Sequence, residues 1–348
     1  MEKEVKIKVG ISVGDLNGIG MEVVLKTFAD KRMFDFCTPI LFASQKAVAF
    51  YKKLLKSEVV YQEISSLDKV HAQKLNIISI WDEEISIEVG TPTAVSGKYA
   101  LQSLEAATKA LKAQEIDLLV TAPISKDNIQ AANFTFPGHT EYLESNLLGE
   151  SLMVLMTEKL RLGLITGHVP VSKVSETITK ELIEKKVAIM HQMLLQDFAI
   201  DKPKIAVLGL NPHCGDNGVI GNEDDTLIRP TLKEIQEKGQ LVYGPYAADG
   251  FFGSEKYLQF DGVLAMYHDQ GLVGFKSIAF GSGVNYTAGL SEIRTSPDHG
   301  TAFEIAGKNL ADSSSFKEAL FTGLKIFKTR KDYKLLTKNS LKVRKQRN

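Results

Sequence analysis

Three histidines stand at or just past the ends of apolar, strand-like runs. His168 follows LGLITG (162–167), His213 lies in NPHCGDNG (211–218) beyond KIAVLGL (204–210), and His268 follows DGVLAMY (261–267). A strand delivers its last side chains to a sheet edge, where Asn, Gly and Asp turn the backbone. Three neutral imidazoles with open coordination positions suit a catalytic divalent ion, Zn²⁺ first, with Co²⁺ or Mg²⁺ as alternatives. The expectation is that the three meet in one cleft. No local HExxH-type pair supports it, so spacing alone does not establish a metal. His71 and His191 lie in charge-mixed, helix-like stretches and read as surface or packing residues; His139 and His299 sit beside Gly or Asp at element ends.

Carboxylates and cations gather near the same points. Asp269 directly follows His268 and can orient that ring or act as a base. Lys276 can bind an anion or carry a proton, and Asp249 in GPYAAD (244–249) is a buried-looking carboxylate. Asp249, Asp269 and Lys276 are therefore the candidate proton acceptors. GVNYT (283–287) and EIRTSPDHGT (292–301) read as polar, turn-rich segments, in which Arg294 is the best bidentate clamp for carboxylate or phosphate. GDLNGIG (14–20) is neither GxGxxG nor GxxxxGK[ST], so it supports no Rossmann or P-loop reading. It is either a tight turn or a loop presenting N–H groups to an anion.

The elements that must position these residues alternate. Strands are expected over 5–13, 38–43, 75–81, 117–122, 153–156 and 162–166, near Ile205, and ending at His268. Helices are expected over 44–55, with Ser44 as N-cap, 94–114, 136–148, 176–197, near 225–238, and 313–329. Such alternation argues a largely parallel sheet covered by helices.

The 348 residues are too many for one small core and suggest two lobes. Lys+Arg and Asp+Glu are both 42, which gives no global electrostatic case for nucleic acid or membrane. No run of about 18 apolar residues occurs, and the N-terminus does not read as a signal peptide. Cys37 and Cys214 exclude a disulfide framework, so the reading is a cytoplasmic protein. The basic segment KDYKLLTKNSLKVRKQRN (331–348) reads as a solvated terminal helix rather than a nucleic-acid arm.

Taken together, GDLNGIG, TAPISK, FPGHTEYL, GHVPVSKV, GLNPHCGDNGVIGNED, GPYAADGFF, LAMYHDQGL, GVNYTAGL and IRTSPDHGTA resemble the 4-hydroxythreonine-4-phosphate dehydrogenase family over about residues 7–330. The resemblance implies an α/β fold like the isocitrate and isopropylmalate dehydrogenases: two α/β/α lobes around a central cleft, not a Rossmann fold. The first lobe would take 1–130 plus about 290–348, and the second 131–289. It also implies a homodimer with the active site at its interface. His168, His213 and His268 would ligate the metal. His139, Thr140, Lys276, Asn285 and Arg294 would hold the substrate, with His139 and Thr140 near its phosphate. NAD-contact residues stay unassigned. The implied reaction is metal- and NAD-dependent oxidation of 4-phosphooxy-L-threonine to 2-amino-3-oxo-4-phosphooxybutanoate. That product decarboxylates to 3-amino-2-oxopropyl phosphate in vitamin B6 biosynthesis. Oxidation of erythronate or threonate 4-phosphate is the alternative, and a metal-dependent phosphoesterase ranks behind both. This chain departs from the family pattern at Leu16-Asn17, in HVPVSKV (168–174), with Lys173 beside the position where Asp is frequent, and at Cys214, where Ala is common. Cys214 reads as a loop residue, because open coordination positions are wanted for substrate.

Overall fold

Apolar runs without polar alternation need cover on both faces. The strands β1 (Lys8–Ser12), β2 (Thr38–Ala43), β3 (Tyr61–Glu63), β4 (Leu75–Ser79), β5 (Leu118–Thr121) and β6 (Gly149–Met156) come first in the chain. They are followed by β7 (Arg161–Leu164), β8 (Lys204–Leu208), β9 (Leu241–Tyr246), β10 (Gly262–Ala265), β11 (Val284–Leu290) and β12 (Arg294–Pro297). The computed structural model describes residues 6–132, 134–279 and 281–339. In it these strands form one continuous sheet, ordered β3-β4-β2-β1-β5-β12-β11-β6-β7-β10-β8-β9. β2, β5 and β10 are buried throughout.

The sheet has two directions. β3, β4, β2, β1, β5 and β12 are mutually parallel. So are β7, β10, β8 and β9. Between them β11 pairs antiparallel with both β12 and β6, and β6 antiparallel with β7. Residues 8–121 and 294–297 thus build one half, and 149–290 the other. The chain adopts the α/β architecture expected of it, with a mixed rather than uniformly parallel sheet. One apolar cluster runs through both halves and includes Val9, Ile11, Leu152, Val154 and Ile205, all fully buried. Each such side chain contributes roughly 1.5–3 kcal/mol.

Covering helices start where capping side chains occur. Ser44 accepts from the amide of Lys46 at the head of Gln45–Leu54, and Thr93 from Ser96 at the head of Ala94–Lys112. Thr179 does the same for Leu182 in Lys180–Phe198. GDLNGIG is a tight turn into the helix Gly20–Ala29 with its polar groups turned inward. The Asp15 carboxylate accepts from Asn128 Nδ2 at 2.9 Å, and the Asn17 side chain bonds Thr91, Thr93 and Glu88. Gly14 has φ +72°, and a Cβ there would lie 2.3 Å from the carbonyl oxygen of Pro123.

Several expectations are corrected. Residues 283–287 and 292–301 contribute β11 and β12, central strands rather than turns, because Val284, Tyr286 and Ala288 alternate with Asn285 and Thr287. His268 opens a helix, His268–Ala279, that apolar periodicity did not reveal. His71 lies in a loop, its amide bonded to Asn76 Oδ1. The helix expected over 313–329 runs Ser314–Thr337. Of the basic terminal segment, residues 340–348 lie outside the described residues. Among the described residues no helix is long and apolar enough to cross a membrane.

Candidate functional site

β7, β10 and β8 are adjacent and parallel, so the segments leaving them emerge at one sheet edge. His168 and His268 meet there, their ring centroids 5.3 Å apart. His168 Nδ1 lies 3.1 Å from Glu141 Oε1, and His268 Nδ1 lies 2.7 Å from Asp269 Oδ1. A carboxylate on Nδ1 accepts that ring proton and leaves Nε2 as the lone-pair nitrogen, the arrangement a metal-binding imidazole needs. In this respect the pair fits a divalent ion.

His213 is placed differently. It lies exposed in a turn in which every residue from His213 to Gly218 has positive φ. Left-handed backbone costs an ordinary residue roughly 1–2 kcal/mol. The buried Asp224 carboxylate braces the segment entering this turn, accepting from the amides of Leu210 at 2.8 Å and Asn211 at 2.9 Å. Among the described residues no group of three or more His, Cys, Asp or Glu side chains is arranged to hold a metal ion. His213 lines a cavity of about 510 Å³ together with Asp249, Tyr267 and Asp269. Asp249 is exposed, not buried as its sequence suggested. Burial, then Asp224, raises the Cys214 thiol pKa, which keeps it a protonated loop residue.

The second cluster surrounds Arg294, which begins β12 between β5 and β11. Its side chain is 2% exposed. Nε and Nη2 donate to Thr121 Oγ1 at 3.0 and 2.6 Å, and Nη1 donates to Thr287 Oγ1 at 3.3 Å. Among the described residues no carboxylate forms an ion pair with it. A buried cation held only by neutral hydroxyls is poorly compensated. Burial lowers its pKa to about 9, partly opposed by Glu141 nearby. Burial, and then Arg294, hold His139 well below the usual imidazole range, so this ring is neutral. His139 Nε2 and Asn285 Oδ1 are both shielded from solvent and have no hydrogen-bond partner among the described residues. His139 and the buried Thr140 open the helix His139–Asn146, whose N-cap, Gly138, offers no capping side chain. A helix start without a capping side chain suits an anion.

Glu141 joins the two clusters. Burial is the largest single influence and opposes its ionisation, but the hydrogen bond from His168, a bond to its own amide and the charges of His168 and Lys126 together lower its pKa. Its Oε2 is shielded and unpartnered. Lys276 is exposed, its Nζ 3.6 Å from Asp298 Oδ2, and burial raises the Asp298 carboxyl pKa against the pull of Lys276. Sequence reasoning missed Glu141, Asp298, Thr121 and Thr287. All four lie within motifs already singled out: FPGHTEYL, IRTSPDHGTA, TAPISK and GVNYTAGL. The arrangement offers an anion pocket, a pair of oriented imidazoles and polar groups that can hold or move protons.

Comparison with known proteins is consistent with this geometry. The family model described as "Pyridoxal phosphate biosynthetic protein PdxA" matches residues 35–322. The 4-hydroxythreonine-4-phosphate dehydrogenase of Bacteroides thetaiotaomicron is 48% identical over 98% of this chain and 94% of its own length. A protein from Oceanobacillus iheyensis, provisionally named a D-threonate 4-phosphate dehydrogenase, is 34% identical over 92% of this chain and 98% of its own. The crystal structure of 4-hydroxythreonine-4-phosphate dehydrogenase from Klebsiella pneumoniae superimposes with a TM-score of 0.78 at 30% identity, covering 94% of this chain and 99% of that one.

Proposed function

The chain belongs to the PdxA family of pyridoxal phosphate biosynthetic proteins, and from that premise we propose that it oxidises 4-phosphooxy-L-threonine with NAD⁺ and a divalent ion. The product, 2-amino-3-oxo-4-phosphooxybutanoate, then loses carbon dioxide to give 3-amino-2-oxopropyl phosphate. The observation that carries the reading is Arg294, a buried guanidinium with no anionic partner, beside a neutral His139 with an open Nε2. A phosphate monoester supplies the missing charge and accepts from the guanidinium fork.

In this reading Arg294, His139, Thr140 and Asn285 anchor the phosphate end, and that remote binding orients the reacting carbon. Lys276 contacts the substrate on the side of Asp298. His168 and His268, joined by His213, hold the ion, and the homodimer completes the site at its interface. When bound, the ion polarises the substrate hydroxyl and NAD⁺ accepts the hydride. Asp249, Asp269 and Lys276 are the groups that can take the hydroxyl proton. Asp269 is already engaged in orienting His268 and Lys276 is paired with Asp298, which leaves Asp249 the freer acceptor.

The test is appearance of reduced nicotinamide when the purified chain meets phosphooxythreonine, NAD⁺ and Zn²⁺, Co²⁺ or Mg²⁺. Turnover of D-threonate or erythronate 4-phosphate, with none of phosphooxythreonine, would reassign the substrate. Phosphate release without NAD⁺ would make the chain a phosphoesterase.

A further inference from the structure

We propose that Glu141 is the positioning residue that fixes the tautomer and ring direction of His168. The inference rests on the reading of His168 as a metal ligand. Glu141 lies on the helix His139–Asn146, two residues beyond the anion pocket's His139, whereas His168 lies on the segment leaving β7. Their side chains, 30% and 28% exposed, meet across these two segments at 3.1 Å through Oε1 and Nδ1. A carboxylate accepts only, so it selects the Nδ1–H form of the ring and leaves Nε2 unprotonated. The second oxygen, Oε2, is shielded and has no hydrogen-bond partner among the described residues. A Cβ on Gly138 would stand 3.4 Å from it, so the backbone closes over that side of the carboxylate. The carboxylate is thus confined with one oxygen committed to His168 and the other open to a donor from a bound molecule. Through it the helix that opens the anion pocket also sets the imidazole that faces His268. Asp269 performs the corresponding task for His268, but from the adjacent residue and from an exposed position. Glu141 thus links the two clusters.

The full-length chain, stripped of ions by chelation, is compared with Glu141→Ala and the isosteric Glu141→Gln. Long-range ¹⁵N imidazole spectra at one fixed pH read the tautomers of His168 and His268. Co²⁺ titration, followed by visible absorption and by competition with a chromophoric chelator, reads affinity. His168 is expected as Nδ1–H in the unaltered chain. In Glu141→Ala that preference is lost, His268 keeps its own, and Co²⁺ binding weakens by roughly 10–100-fold. Glu141→Gln, which still accepts through its amide oxygen, retains the tautomer and binds Co²⁺ about tenfold more weakly. An unchanged His168 tautomer in Glu141→Ala, or unchanged Co²⁺ affinity in Glu141→Gln, overturns the proposal. So does an equal disturbance of His268, which would mark a general structural role. If the unaltered chain binds no Co²⁺, the metal reading above fails, and the His168 spectra still decide whether Glu141 orients that ring.

Discussion

Asp197 and Arg330 form a bidentate pair in the interior: Nε donates to Oδ1 at 2.7 Å and Nη2 to Oδ2 at 3.0 Å. The Tyr286 hydroxyl closes the triangle, donating to Asp197 Oδ2 at 2.6 Å, while Arg330 Nη1 reaches the Leu290 and Ser291 carbonyls. Burial and Asp197 push the tyrosine pKa well up, so the phenol stays protonated. The triangle ties the helices Lys180–Phe198 and Ser314–Thr337 to β11. Arg330→Met strands a carboxylate that is 0% exposed and should cost about 3–5 kcal/mol. The double replacement Asp197→Leu with Arg330→Met should recover most of that loss. Urea denaturation of the three proteins checks both statements.

Arg294 should act through its fork and not through charge alone. Arg294→Lys keeps a cation but cannot span Thr121, Thr287 and a phosphate together. Loss of a charge-assisted bond worth about 1.5–3 kcal/mol predicts a KM for the phosphorylated substrate raised roughly 10–150-fold. Steady-state kinetics give the result; an unaltered KM would remove Arg294 from the phosphate site.

His139 makes stability depend on pH. Its folded pKa is depressed, so the neutral ring's contribution is fully present above the ordinary histidine value of 6.5 and declines as pH falls below it. The slope from this group is about 1.4 kcal/mol per pH unit. His139→Gln should flatten that part of the curve between pH 7 and 5, measured as unfolding free energy at several pH values. A variant with the same slope as the parent would contradict it.

Gly14 admits no side chain. Gly14→Ala meets both a left-handed backbone and a carbonyl oxygen 2.3 Å from the new Cβ. The backbone term alone is about 1–2 kcal/mol. Calorimetry should show a lower melting temperature, whereas alanine at Gly250, where a Cβ meets nothing within 4 Å, should change it far less.

The sequence was most legible where periodicity and termination coincide. Thr38–Ala43 and the Ser44-capped helix agree with the structure almost residue for residue, because a continuous apolar run and a capping hydroxyl are local signals. β11 and β12 were read as turns, since a central strand lining a polar site alternates in a way that looks like a loop rich in Asn, Thr, Ser and Asp. The histidines at the ends of β7, β10 and β8 could be named from the sequence, but their mutual placement could not. Only strand order brings His168 to His268, and His213 sits on a turn of left-handed backbone that composition alone does not specify. Glu141 escaped notice because what distinguishes it is a partner 27 residues away.

The anion pocket also constrains how the molecule comes into being. Thr121 and Arg294 are 173 residues apart in sequence, and the entire second half of the sheet is made between them. During synthesis β5 must wait at an open sheet edge until β12 leaves the ribosome, a closure with a large entropic cost and a high contact order. A nascent chain that stops short of β12 exposes an unpaired apolar strand edge and lacks Arg294, the proposed phosphate ligand. Ligand retention on phosphate resin should therefore report completed folding, appearing only in ribosome-released chains.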